Sequence, residues 1–280
     1  MTAAGRGFYL NFILDLVPRP LLFTTERDIW LGALWFSLSG MAILLSHEFG
    51  HYLACRYYRI DATPPYFLPF PGSMFGTLGA FIRIRSPFPN RKALFDVGAA
   101  GPFAGFIVAL GLLVFGIAAS RVVKFPSDFV GLEFGEPPIF RAITWWFWGE
   151  IPKGYTLNLH PAGFAAWAGC FLTAINLLPI WQLDGGHISY SVLGRTARYV
   201  TLAGAVVVIA LTVWYSYSWA AWAVLIVLML LRFGPDHAPT LDDGEPLGRG
   251  RVMLAIAAGI VLALCFTAVP IEFTRLIGAR

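Results

Sequence analysis

The stretch "LLSHEFGHYLACRYY", residues 44–58, carries two opposed signals. His47, Glu48 and His51 stand in the order His-Glu-x-x-His. On a helix, residues four apart share a face, so both imidazoles can address one metal ion. Glu48 lies beside His47 and can reach a water there without being a ligand. Zinc held by neutral imidazoles and a carboxylate brings the pKa of its water towards 7. Glu48 can then take that proton and pass it to a leaving amine. Such a site consumes water, yet the residues before it, "WLGALWFSLSGMAILLS" (30–46), read as the interior of a membrane.

Composition agrees with the second signal. Of 280 residues, 58% are hydrophobic and only 13% charged, against about 25% charged in a soluble domain. The excess of Trp and Phe suits a chain that meets lipid and the lipid–water interface. A polytopic, all-α integral membrane protein is therefore expected, with the lipid bilayer as a partner. The formal net charge of +4 is split into short blocks between apolar runs, not gathered on one basic face, so no nucleic-acid partner is expected. Cys55, Cys170 and Cys265 lie far apart and no CxxC occurs, which disfavours a disulfide framework or a cysteine–zinc site. The start, "MTAAGRGFYLNFILDLVPRP", has one early Arg and an apolar stretch broken by Asp15. It reads as an interfacial segment (1–28) rather than a cleavable signal.

Crossing about 30 Å of hydrocarbon takes roughly 20 apolar residues, and about six such runs occur. They lie near residues 29–57, 94–120, 161–180, 199–215, 219–231 and 251–269. Arg56, Arg59, Arg83, Arg85, Arg91 and Lys92 crowd the first loop against the single acid Asp61, whereas acids balance bases in the loop 121–160. The positive-inside rule puts the first loop in the cytoplasm. The ends of the first and third runs then approach the same, cytoplasmic side. Within the first loop, "PPYFLPFPGSMFGTLGAFIRIRSP" (64–87) combines Gly-rich turns with alternation of Ala80, Ile82 and Ile84 against Phe81, Arg83 and Arg85. That pattern suggests a membrane-associated β-hairpin, whose edge an extended substrate could join, although a plain interfacial loop has similar composition. In the next loop, "FRAITWWFWGE" (140–150) suits an interfacial or re-entrant segment. A loop of about 40 residues leaves no room for an inserted soluble domain.

A catalytic zinc site commonly has three protein ligands and an open position, so one more donor is needed. The best candidate is Asp184 in "NLLPIWQLDGGH" (176–187), which follows an apolar run ending on the same side. Gly185 and Gly186 would allow an unusual backbone turn beside it, and Pro179 would break the preceding helix. Asn176, an amide in an apolar helix, could hold a substrate backbone or donate to an oxyanion. The competing role is an interhelical hydrogen bond.

"HEFGH" (47–51) followed by Asn176, Pro179, Leu183, Asp184 and Gly185, in the pattern Asn-x-x-Pro-x-x-x-Leu-Asp-Gly, resembles the site-2 protease family of intramembrane zinc metalloproteases. "GAAGPFAG" (98–105) is similar to that family's Gly-Pro segment. The resemblance covers roughly residues 29–193. It implies His47, His51 and Asp184 as zinc ligands and Glu48 as catalytic base. It also implies a core of three transmembrane helices and a transmembrane protein substrate cut within or near the membrane. Between the motifs there is no PDZ-sized insert such as many members carry, which makes this a PDZ-less chain.

The expected organisation is an N-terminal interfacial segment (1–28), an intramembrane metalloprotease core (29–193) and C-terminal transmembrane helices (194–280). Two other readings compete. A membrane zinc protease acting on soluble or lipidated chains would take a Glu as third ligand and lack the Leu-Asp-Gly-Gly segment. A metal transporter or scaffold would string ionisable residues along several spans, whereas here they concentrate at two motif ends. His187 is expected to support the site rather than to ligate, His160 and Cys55 to pack, and His237 to stabilise its own loop.

Overall fold

A computed structural model describes residues 26–69, 77–124 and 131–274. The N-terminal interfacial segment expected over 1–28 falls almost wholly outside them. Helix α1 (Glu26–Tyr57) runs without interruption through the His-Glu-x-x-His turn, and the chain turns away two residues later at Arg59, whose φ of 55° is left-handed. Strands β1 (Tyr66–Pro69) and β2 (Thr77–Phe81) follow, then α2 (Arg91–Ala118). The side chain of Asn90 caps α2 by accepting from the Ala93 backbone N–H at 2.9 Å, which satisfies one of its unpaired first-turn donors.

The outer connection contains β3 (Arg121–Lys124), β4 (Gly131–Phe134), α3 (Pro138–Trp148) and β5 (Tyr155–Asn158), with β3 pairing antiparallel to β5. Helix α3 exposes Trp145, Trp146, Phe147 and Trp148. Helices α4 (Pro161–Asn176), α5 (Asp184–Leu193), α6 (Ala197–Trp214), α7 (Ala220–Phe233) and α8 (Arg249–Cys265) complete the helical part. Strand β6 (Ile271–Thr274) returns to pair with β4, a pairing that no sequence pattern announced.

Among the described residues, three helical runs are long and apolar enough to cross a membrane: Arg27–Tyr57, Arg91–Ala118 and Asp184–Trp214. The run near 199–215 is α6, which a 3-10 turn over Gly194–Thr196, with Gly194 at a left-handed φ of 61°, joins to α5. The run read from sequence as 161–180 is a helix of only 16 residues that stops at Asn176. At 1.5 Å per residue it is about 24 Å long.

α1, α2 and α4 pack tightly because glycines remove the side chains between them. A Cβ on Gly116 would overlap the backbone of Gly163, one on Gly50 the carbonyl of Ala100, and one on Gly169 would press on Ile43 at 2.9 Å. Close backbone approach through small residues is how helices gain contact where lipid supplies no hydrophobic drive. The main core joins Ile43 of α1, Phe95 and Leu113 of α2, Trp167 and Cys170 of α4, Ile188 of α5 and Val261 of α8. A second cluster joins Ile175 and Ile180 to Val208, Trp219 and Ile226. The opposite face of α1, with Trp30, Leu34, Leu38 and Met41, is exposed.

β1 and β2 pair antiparallel, with Tyr66 opposite Phe81 and Phe67 opposite Ala80. The ladder extends outward through an Ala62–Ile84 bridge and the bond from the Thr63 N–H to the Arg83 carbonyl. Residues 70–76, between the strands, lie outside those described. Ile82 and Ile84 face Cys55, Ile60 and Val97, while Phe81, Arg83 and Arg85 are exposed. The period-two alternation thus sorts the two faces of this segment.

Candidate metal centre

His47 and His51 lie one turn apart on α1, both buried. Asp184 opens α5, where a carboxylate suits the positive end of the helix dipole. One donor atom from each of these three residues lies within 4.8 Å of the other two. His47 Nε2 is 3.0 Å from His51 Nε2 and 3.2 Å from Asp184 Oδ2, and His51 Nε2 is 3.4 Å from Asp184 Oδ1.

Tautomer chemistry tests whether these groups fit a cation. His51 Nδ1 is 2.7 Å from the carbonyl of Val97, which only accepts, so Nδ1 carries the proton. In the neutral imidazole that a metal ligand must be, its Nε2 is then a lone pair aimed at another imidazole nitrogen and a carboxylate. A buried cluster of converging acceptors is unfavourable by itself and suits a metal ion. A His whose outer nitrogen is held by a backbone carbonyl is the usual arrangement of a metal-bound imidazole.

Helix α2 supplies the seat. A Cβ on Gly101 would overlap the His51 ring, one on Gly105 would stand 3.1 Å from His47 Cβ, and one on Gly98 would meet His187 Cβ at 2.7 Å. These glycines recur at i, i+3 and i+7, one face of the helix. Pro102 sits within the same helix and removes the donor that would bond the Gly98 carbonyl. "GAAGPFAG", read from sequence only as a family likeness, is therefore the surface against which the histidine rings lie. Neither Val97 nor the glycines were singled out as site residues. The signal that could have found the glycines was their spacing on one face of an apolar helix.

Glu48 is partly buried, near enough to interact electrostatically with His47, His51 and Asp184, and hydrogen-bonds the backbone of Ile82. The strand segment thus reaches the acid that follows His47. Asn176, the last residue of α4, turns its Nδ2 towards His47 Nε2 at 3.4 Å. All five residues singled out as catalytic or metal-binding are thus in one place.

The geometry differs from the sequence expectation at Gly185 and Gly186. Both are helical, and neither has a positive φ. They are required for proximity instead: a Cβ on Gly185 would overlap the Leu177 carbonyl, and one on Gly186 the Trp181 carbonyl. The unusual backbone sits at Trp181, with φ of 45° and its N–H donating to Thr201 Oγ1 at 3.2 Å. This turn swings the chain from the end of α4 to the start of α5 and returns Asp184 to His47.

His187 lies outside the donor cluster, with its Nδ1 2.7 Å from His237 Nε2. His237 therefore does more than stabilise its own loop. Cys55 is fully buried among Ile60, Ala93 and Val97. His160 caps α4 by accepting from the Ala162 N–H and packs its ring edge-on against Trp35 and Phe115.

A family model for peptidase family M50 matches residues 35–217. Probable zinc metalloprotease EGY2, chloroplastic, of Oryza sativa subsp. indica is 30% identical over 97% of this chain and 50% of its own length. Probable zinc metalloprotease EGY1, chloroplastic, of Arabidopsis thaliana is 29% identical over 88% of this chain and 45% of its own. The Arabidopsis EGY2 protein is 32% identical over 80% and 40% respectively. The chain spans half or less of the length of these relatives.

Proposed function

Since the chain belongs to peptidase family M50, we propose that it is a zinc endopeptidase that hydrolyses peptide bonds of transmembrane protein substrates within or near the bilayer. The observation that carries this is the convergence of His47, His51 and Asp184 beside Glu48. His47, His51 and Asp184 would hold the ion. Bound there, zinc would supply Lewis acidity, polarising a carbonyl and making water acidic near neutral pH.

The chain's own residues do the remainder. Glu48 takes a proton from the attacking water and returns it to the amine of the departing strand. Val97 holds the His51 ring in one tautomer and one orientation. The amide of Asn176, which lies beside His47, donates to the substrate carbonyl as charge develops on it. An extended substrate adds to the exposed edge of the strand segment that contains Ile82. A substrate helix has no free edge, so it must unwind locally, which Gly, Pro or polar residues near the cut would ease.

The same reading places the chain across the membrane about six times, with α4, α7 and α8 as shorter spans beside the three long ones and the strand pair dipping into the bilayer. The charge of the first loop supports a site towards the cytoplasmic side. The relatives' printed names support the zinc protease reading over a metal transporter or scaffold. A protease for soluble or lipidated chains would take a Glu as third ligand, whereas here Asp184 stands beside His47 and His51.

The test is cleavage of a transmembrane test substrate by detergent-purified protein. Glu48→Gln is expected to fold normally and lose at least about 100-fold in turnover, the scale of general-base removal. Full activity in that variant would remove Glu48 from its role.

A further inference from the structure

Residues 234–248 form a strap that leaves α7, crosses the site end of the molecule and enters α8. It is held by backbone as well as side chains. The Leu241 and Asp242 N–H groups donate to the carbonyls of Phe88 and Pro89, just before α2. Tyr190 Oη of α5 donates to Asp243 Oδ2 at 2.8 Å, and Lys92 pairs with Glu245 at 2.9 Å. Arg91, at the start of α2, donates to the Ser191 and Val192 carbonyls at the end of α5 and reaches towards the Asp243 carbonyl. The start of α2, the end of α5 and the strap are thus one polar network.

His237 is the strap residue that contacts His187, one helical turn from Asp184. Its Nδ1 lies 2.6 Å from the Ala238 carbonyl, which can only accept, so Nδ1 carries the proton. Nε2 is then an acceptor, and His187 Nδ1–H donates to it at 2.7 Å. The His237 ring also stacks on Tyr190, with centroids 4.6 Å apart. His187 is one helical turn from Asp184, and its Cβ lies against Gly98, the glycine that also faces the Asp184 carbonyl. A chain of fixed hydrogen bonds therefore runs from Ala238 through two imidazoles to the turn of α5 that presents Asp184.

We propose that His237 is a positioning residue for the metal centre: through His187 it fixes the rotation of α5 against α2, and so the aim of the Asp184 carboxylate. This inference rests on the zinc reading above and adds the strap to it. Outer hydrogen-bond partners of metal sites typically contribute 10–100-fold in metal affinity or activity. His237 acts one residue further out, so an effect near the low end, about tenfold, is expected.

The experiment measures zinc retention against a competing chelator, together with kcat and KM on the transmembrane test substrate. It uses detergent-purified full chain carrying His237→Ala, His237→Gln or His237→Asn. His237→Ala is expected to lose zinc about tenfold more readily and to lower kcat with KM unchanged. Gln carries an acceptor oxygen as far from the backbone as Nε2, so His237→Gln should recover most of the loss. Asn is too short and should behave like Ala. If the Ala variant does not fold, the Gln–Asn difference alone decides. Equal zinc retention in wild type and His237→Ala, or equal impairment in the Gln and Asn variants, would overturn the proposal. Wild-type protein that binds no zinc would overturn the metal reading itself, a separate result.

Discussion

The glycine-packed helices around the site and the C-terminal helices are built by different means. Against α2, the histidine rings and the backbone of α1 sit where glycines have removed every side-chain atom. The C-terminal part packs on these helices through larger apolar side chains and is also tied on by long polar ones. Arg251 of α8 donates to Asp96 at 2.7 and 2.8 Å and to Tyr58 Oη at 3.1 Å. The first kind of contact tolerates no added atom. The second can lose a bond and keep its neighbours. Precision is thus concentrated where His47, His51 and Asp184 converge, and adjustable ties surround it.

The largest break in this comparison should come from one methyl group. Gly101→Ala would place a Cβ inside the His51 ring, and relief would require moving the ring or the helix. We expect at least a tenfold loss of zinc affinity and loss of cleavage. Gly111→Ala in the same helix meets nothing within 4 Å and should be neutral. Zinc retention and thermal melting of the pair measure the contrast, and equal behaviour would deny that α2 is the seat of the ligands.

A smaller effect is expected from Arg251→Ala. It removes charge-assisted hydrogen bonds at a partly buried site, worth about 1.5–3 kcal/mol in total because the bonds share one pair. Lower melting with zinc retained would sharpen the distinction. Loss of zinc would show that α8 belongs to the centre.

The smallest effect concerns pH. Burial at the N-terminus of α4 lowers the pKa of His160 below its ordinary value. A depressed folded pKa means that protonation favours unfolding, so stability present above about pH 6.5 is lost as pH falls towards the folded value. His160→Asn keeps a capping acceptor and should flatten that acid limb of the melting curve. An unchanged pH profile would remove His160 as its source.

Much of the site was legible because its chemistry is local. The spacing of His47 and His51 on one helical face needs no tertiary information, and Asp184 stands in a dense polar motif after a long apolar run. The glycines were visible but ambiguous: Gly185 and Gly186 suit a turn as well as a close approach, and only the position of the Leu177 and Trp181 carbonyls decides. The left-handed turn fell on Trp181, a residue type that gives no such signal. Helix ends misled for a related reason. Apolar composition continues past Asn176, but the chain turns there to bring Asp184 back, so 161–180 is not one helix. The link from His237 to His187 spans 50 residues of sequence and has no local signature.

The central claim is that His47, His51 and Asp184 together hold one zinc ion. Elemental analysis of the purified wild-type, Glu48→Gln and Asp184→Ala proteins tests it most directly. One zinc per chain is expected in the first two, and loss of that zinc in the third. Stoichiometric zinc retained by Asp184→Ala would contradict it.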